Sequence, residues 1–279
     1  PQSSFTEHSY RGIAAEPQDK RLLLLHIDNK TSHYHWCYLD EEGETLHAGG
    51  IAFPIRACYP QVALQRKAAH VFAVGDIVEP VQEWRKYKFE KTQRTWDYVF
   101  RILYYTWTPD ILEKDFCAPL EIANVDATAG AVSNLDLWIN PGGAAYLLYT
   151  EREVASELLR DRFFPDRSTV SSLHLAIVDK GEIVERRVLH EGSSTSQVAL
   201  ARFHETPDGR LYIFAVMNNR NYLAEIRDSG EPLLWVPVPF RAPFFSFCLA
   251  NKRAGCVLSD TMDIHGVGPV NHVMRYAAV

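Results

Sequence analysis

The chain has 279 residues, 47% hydrophobic and 23% charged, the balance of a folded globular protein rather than a disordered or fibrous one. Its net charge of −6, with no basic cluster, argues against a nucleic-acid partner, and no apolar run approaches membrane-spanning length. The five cysteines, Cys37, Cys58, Cys117, Cys248 and Cys256, are an odd number without a CxxC pair. Most lie in apolar runs and are expected to be buried thiols, neither a disulfide framework nor a zinc site.

From the N-terminus onward, one hairpin recurs. The chain opens on Pro1 without an initiator Met or a signal peptide, which reads as a trimmed start and leaves export open. The hairpin's second strand runs over 21–29, 68–76, 144–152, 210–218 and 254–262. Each copy is a short apolar run with a polar end, preceded by a turn rich in Pro, Gly, Asp, Asn or Lys. Asp28 to Asp76, and Met217 to Thr261, each span the ~40–50 residues of a four-stranded propeller blade. Solenoid repeats are shorter or helical, and these units are strand-rich. The pattern therefore predicts an all-β fold: a single β-propeller domain over 1–279 with five recognisable four-stranded blades.

Blade one is expected from His8 to Ile55, with strands Arg11–Ala15, Arg21–Ile27, His33–Leu39 and one near Leu46–Phe53. Blade two starts at Cys58 and carries an insertion over Glu79–Lys91, then a strand over Tyr98–Trp107. Blade three starts near Asn134 and has its own insertion, Val154–Phe164. Blade four spans Val198 to about Phe240. Blade five, from Phe244 to Val279, looks one strand short, and Pro1–His8 would supply the missing strand by closing the ring.

This topology predicts a site. The start of strand one and the end of strand two share a rim, so polar groups there converge above the channel. From strand-two ends come Asp28, Asn29, Asp76, Arg152, Asn218, Asp260 and Asp263. From strand-one starts come His8, Tyr10, Arg11, Tyr59 and Asn134, with Tyr149 nearby on blade three. Both insertions follow strand two and would wall the same site. Apolar strands that end in charged groups above a channel suit a ligand.

The turns Asp40–Thr45, Asp179-Lys-Gly181 and Asp228-Ser-Gly230 recur between strands three and four. They resemble a shortened Asp-box, the turn of the bacterial-neuraminidase (BNR) repeat in sialidase-like propellers, although its upstream Ser/Thr and downstream aromatic are missing. The segments His8–Ala15, His26–Asn29 and Cys58–Gln61 further resemble the BNR-repeat family that includes propeller-type ulvan lyases. That resemblance covers most of the chain as a repeat pattern and rests on few residues at the site. It implies His8 and Tyr59 as acid and base, with the second His falling near Asp28 and Asn29, close to His26. The family's arginine falls on Gly75, so the cation that neutralises a uronate carboxylate would have to come from Arg11, Arg56 or Arg152.

The expected function is β-elimination on a uronate-containing polysaccharide. A sialidase-like hydrolase is the second enzymatic alternative, but no Tyr/Glu nucleophile pair supports it. A propeller that binds a glycan or a protein without turnover is the third, and the absent arginine fits it well. Each residue also has a plainer explanation. His8 is a surface residue in most contexts, Tyr59 before Pro60 would pack a blade edge, and Asp28, Asp76 and Asp260 would bond turn amides. His33 and His35 share a strand face, where packing outweighs metal ligation. The expected partner is a poly- or oligosaccharide, with no nucleic acid and no membrane. No cofactor and no catalytic metal are predicted, a structural ion and the oligomeric state being left open. Polysaccharide activity would place the protein outside the cytoplasm, whereas the odd, unpaired cysteines lean towards it.

Overall fold

Short strands of alternating burial dominate the computed structural model, which describes residues 10–227, 232–268 and 273–279. They form five antiparallel sheets arranged as a five-bladed β-propeller. Blade one holds β1 (Arg11–Glu16), β2 (Arg21–Ile27), β3 (Tyr34–Leu39) and β4 (Thr45–Ile51). Blade two holds β5 (Ala57–Gln65), β6 (Ala68–Gly75), then β7 (Ile77–Val78), α1 (Gln82–Thr92), β8 (Tyr98–Val99), β9 (Ile102–Thr108) and β10 (Leu120–Asn124). Blade three holds β11 (Ala131–Ile139), β12 (Ala145–Arg152), α2 (Glu157–Phe163), β13 (Ser171–Asp179) and β14 (Glu182–His190). Blade four holds β15 (Val198–Glu205), β16 (Leu211–Met217), β17 (Arg220–Ile226) and β18 (Val236–Val238). Blade five holds β19 (Ser246–Leu249), β20 (Asp263–Val267) and β21 (Met274–Ala278).

The innermost strands β1, β5, β11, β15 and β19 stand side by side around the channel. The hairpins between first and second strands form where the sequence allows positive φ, as at Gly143 (φ 94°) and Gly209 (φ 82°), conformations that a side chain would strain. Four apolar clusters fill the joints between successive blades. Leu23, Leu25 and Trp36 of blade one meet Val62 and Val71 of blade two. Phe72 and Leu103 meet Leu137 and Leu147, while Leu148 and Leu175 meet Phe203 and Ile213. Phe214 and Val216 meet Phe247 and Ile264. Second strands such as β6 face core on both sides, which explains why they read as continuous apolar runs.

Between blades five and one no such cluster forms among the described residues, and Ile13 and Leu24 of blade one stay exposed there. Instead the ring is latched by hydrogen bonds. Ala15 N donates to Arg253 O at 2.9 Å, Ala15 bridges Ala254, and the Arg253 guanidinium reaches across the channel to Asp136 (3.0 Å) and Gln61 (2.7 Å).

Five expectations need correction. Residues 256–258 are not the second strand of blade five: Val257 is 89% exposed, and β20 starts only at Asp263. Asn251–Arg253 is accordingly the ring latch rather than a hairpin turn. Asp263 therefore begins a second strand instead of ending one, and it lies with Asp260 at the opposite end of the channel from Asp28. The strand expected over Tyr98–Trp107 breaks at Phe100 and Arg101, and only Ile102 onward joins the blade. Of the cysteines only Cys58 is buried; Cys37 and Cys256 are half-buried, Cys117 is exposed in a loop, and Cys248 is exposed because it alternates with the buried Phe247 and Leu249 along β19. All five are free. The proposed ring closure by Pro1–His8 and the turn Asp228–Gly230 lie outside the described residues.

Candidate functional site

Tyr59 stands at the mouth of the channel where β5 bulges between Cys58 and Gln61. Its backbone is left-handed (φ 50°), although Pro60 follows and disfavours helical conformations at the residue before it. The neighbours hold this conformation. Buried Asn134 donates from Nδ2 to Tyr59 O at 2.7 Å and to Phe72 O at 3.2 Å, tying blade three to the bulge. The Tyr59 side chain is 54% exposed. Tyr10 meets it edge-on at 4.9 Å between ring centroids, and Phe100 lies 6.1 Å away on the other side.

Tyr10 is the hub beneath. Burial pushes its phenol well above the usual range, helped by a hydrogen bond with Tyr59 and by the nearby Cys58 and Asp76. The Arg56 guanidinium lies over the Tyr10 ring at 5.2 Å. That same guanidinium forms an ion pair with buried Asp76, whose own N–H donates to Arg56 O at 2.8 Å. Burial, then Asp76, raises the Cys58 thiol far above its free value, so it is an inert, neutral group. Next to Asp76, a Cβ on Gly75 would stand 2.6 Å from Ile55 Cδ1, so the end of the Ile55 side chain would have to turn aside to admit one.

Both insertions rise from this rim and lean on one another. Trp84 of α1 packs on Phe163 and Phe164 beside α2, over Val154 and Leu159. Ser156 caps α2 by accepting from Leu159 N. α1 is anchored by a buried charge network. Arg101 donates to Glu79 at 3.1 and 2.5 Å and to Asp126 at 3.1 Å, while Lys88 bridges Glu79 (2.8 Å) and Asp97 (2.5 Å). Burial would raise the Glu79 carboxyl, but Arg101 and Lys88 more than offset it and hold the group below its usual value. On the same insertion Trp96, 61% exposed, lies 5.6 Å from Tyr98.

The expected site residues separate into groups. Tyr10, Arg56, Tyr59, Asp76 and Asn134 come together as described. His26 does not join them. It alternates with the core-facing Leu25 and Ile27, lies 5.6 Å from His35 on the opposite face of blade one, and has Arg11 and Asp28 as its charged neighbours. Arg11, directly across β1–β2 from His26, belongs to that same face. Asp28 accepts from Lys30 N (2.9 Å) and Thr31 Oγ1 (3.1 Å), a turn-forming role, and Asn29 follows it in the turn. Asn218 caps the end of β16 and accepts from Gln197 N at 3.4 Å. Arg152 donates to Ala155 O at 3.2 Å below the α2 insertion. Tyr149 is buried in the joint between blades two and three, stacked on His174. His8 lies outside the described residues.

Sequence reasoning missed Phe100, which a break in an apolar strand conceals. It also missed Arg253 and Asp136, although an aspartate inside Leu135-Asp-Leu137 is a signal that the strand faces a charge. Among the described residues no group of three or more His, Cys, Asp or Glu is gathered to hold a metal ion.

No known protein family and no curated protein matches the chain. Solved structures do match in fold. A protein of unknown function from Dyadobacter fermentans superposes with a TM-score of 0.55 at 11% identity, over 97% of this chain and 93% of that one. Cobalt-substituted apocarotenoid oxygenase from Synechocystis superposes with a TM-score of 0.55 at 12% identity, over 98% of this chain but 58% of the oxygenase. At such identities the likeness defines a β-propeller and nothing finer.

Proposed function

We propose that the protein is a glycan-binding propeller whose recognition surface is the aromatic rim around Tyr59. The observation that carries this is an exposed aromatic ring held in a strained backbone conformation by a buried asparagine from the next blade. A non-glycine residue in the left-handed region costs on the order of 1 kcal/mol, and such conformations persist where the surroundings over-determine them, often at binding sites. The apolar C–H face of a pyranose suits the face of an aromatic ring, while its hydroxyls seek polar groups at the periphery. Arg152, Gln197 and Asn218 supply such groups around the same rim. Trp96 and Tyr98 form a separate exposed aromatic pair on the blade-two insertion.

Binding is favoured over β-elimination by the position of the cations. The Arg56 guanidinium lies over the ring of Tyr10, the neighbour of Tyr59, and is committed there and to Asp76. Gly75, beside that pair, carries no side chain and so brings no cation. Screening immobilised neutral and acidic oligosaccharides against the wild type and Tyr59→Ala tests the proposal. Binding lost in Tyr59→Ala with unchanged thermal stability is expected. Equal binding by both proteins would refute it. Should uronate polymers instead gain ultraviolet absorbance from a new double bond, and Tyr59→Phe abolish that gain, the elimination reading replaces this one.

A further inference from the structure

A cleft of about 420 Å3 opens on the flank of the propeller, between the outermost strand of blade two and the outer half of blade three. Its floor is the Tyr149 ring, lying nearly parallel to the His174 imidazole (18°) with centroids 5.2 Å apart. Arg186 forms one side. It donates to Ile122 O at 2.9 Å and hydrogen-bonds the Tyr149 hydroxyl, which uses two of the five donors of a guanidinium. Glu151 lines the opposite side, half-buried, two residues along β12 from Tyr149 and so on the same face of the strand. A phenol, an imidazole, a carboxyl and a guanidinium thus converge on a space of ligand size.

We propose that this cleft binds the carboxylate of a small organic acid, held by the Arg186 fork and by a hydrogen bond from the acid form of Glu151. A guanidinium presents parallel N–H donors that match the two oxygens of a carboxylate. Burial raises the Glu151 carboxyl above its ordinary value, the nearby Glu153 adds to this, and Arg186 opposes it. Glu121 and Arg187 also border the cleft, Arg187 being paired with Glu185 at 2.7 Å and donating to Arg227 O at 3.0 Å. His174 is held below its usual value by burial, against the pull of Glu191, and stays neutral near neutral pH. The sign follows. Glu151 in its neutral form donates to the bound carboxylate. Once pH rises through its elevated value, Glu151 becomes an anion that repels the ligand, so affinity falls as pH rises.

The site is independent of the rim around Tyr59. The test is isothermal titration with benzoate, using benzamide as the uncharged isostere, between about pH 5 and about pH 8. Benzoate is expected to bind at least about tenfold more tightly than benzamide, and more tightly at the acidic end. Arg186→Gln should remove that preference, Glu151→Gln should flatten the pH dependence, and Tyr59→Ala should change neither. Arg186 is exposed, so thermal melting of Arg186→Gln should match the wild type, and Arg186→Lys should keep part of the preference. Equal binding of benzoate and benzamide, benzoate binding insensitive to Arg186→Gln, or no binding at any pH would each overturn the assignment.

Discussion

Replacing Arg253 by Met should loosen the ring at one joint. Its guanidinium contacts Asp136 at 3.0 and 3.2 Å and Gln61 at 2.7 Å, and the Asp136 side chain is only 2% exposed. Removing one partner of a buried ion pair costs roughly 3–5 kcal/mol because the other charge is left uncompensated. Here the loss is moderated. Asp136 still accepts from Phe203 N (2.8 Å) and Leu137 N (3.0 Å), and Arg202 remains a charged neighbour. Hydrogen bonds to a charged acceptor are worth about 1.5–3 kcal/mol, and the Arg253 side chain keeps some solvent contact, so we expect a cost of about 2–3 kcal/mol. Urea unfolding of Arg253→Met, Asp136→Leu and the double variant closes a thermodynamic cycle. The double variant should cost much less than the sum of the singles. Because no apolar cluster among the described residues supports this joint, amide exchange in β19–β21 should accelerate before exchange elsewhere. A cost below about 0.5 kcal/mol, additive singles, or uniform exchange across blades would refute a charge-latched ring.

Three further outcomes are expected. Burial holds His70 at a pKa of about 3, with Nδ1 bonded to the Tyr105 hydroxyl at 2.7 Å, so the folded state keeps it neutral while the unfolded chain protonates near its ordinary value. Its contribution is therefore intact above about pH 6.5 and lost at about 1.4 kcal/mol per pH unit as pH falls towards the folded value; His70→Gln should show a shallower loss in acid urea titrations. Tyr59→Gly should leave stability unchanged or raise it by about 1 kcal/mol by relieving the left-handed strain, yet abolish glycan binding; a clear loss of stability would show that the ring supports the fold. Gly75→Ala should cost no more than about 1 kcal/mol in thermal melting, because only the end of the Ile55 side chain has to turn aside, and a loss above about 2 kcal/mol would show that Ile55 is locked in place.

The propeller was legible because its second strands are apolar on both faces and its turns need Gly, Pro or Asn, features that survive in a sequence without its neighbours. Four blades showed this plainly. Blade five did not, since its true second strand, Asp263-Ile-His-Gly-Val267, is half polar where the face towards blade one lies open. The run Cys256-Val-Leu258 looks more strand-like yet lies in a loop, because local apolarity cannot report that no blade packs against it. The insertions were placed on the correct rim from connectivity alone, whereas their mutual packing through Trp84 and Phe163 depends on contacts between distant residues.

The rim shows where strand-end arithmetic stops. It brought Tyr10, Tyr59, Asp76 and Asn134 to one end of the channel, because period and direction fix which end a residue occupies. It could not say which face His26 turns to without knowing that Leu25 and Ile27 are the buried positions. Nor could it foresee that Arg56 would be spent on Asp76. That pairing has a physical cause: Asp76 follows the apolar strand β6 into the joint, is 2% exposed, and would be costly to bury without a cation. A substrate carboxylate competing for Arg56 would draw away the cation that the buried Asp76 carboxylate is paired with. If the rim binds glycans as proposed, its interior should therefore favour ligands that bring no charge of their own to the Arg56–Asp76 pair, and the exposed Tyr59 ring beside that pair is the contact left to them.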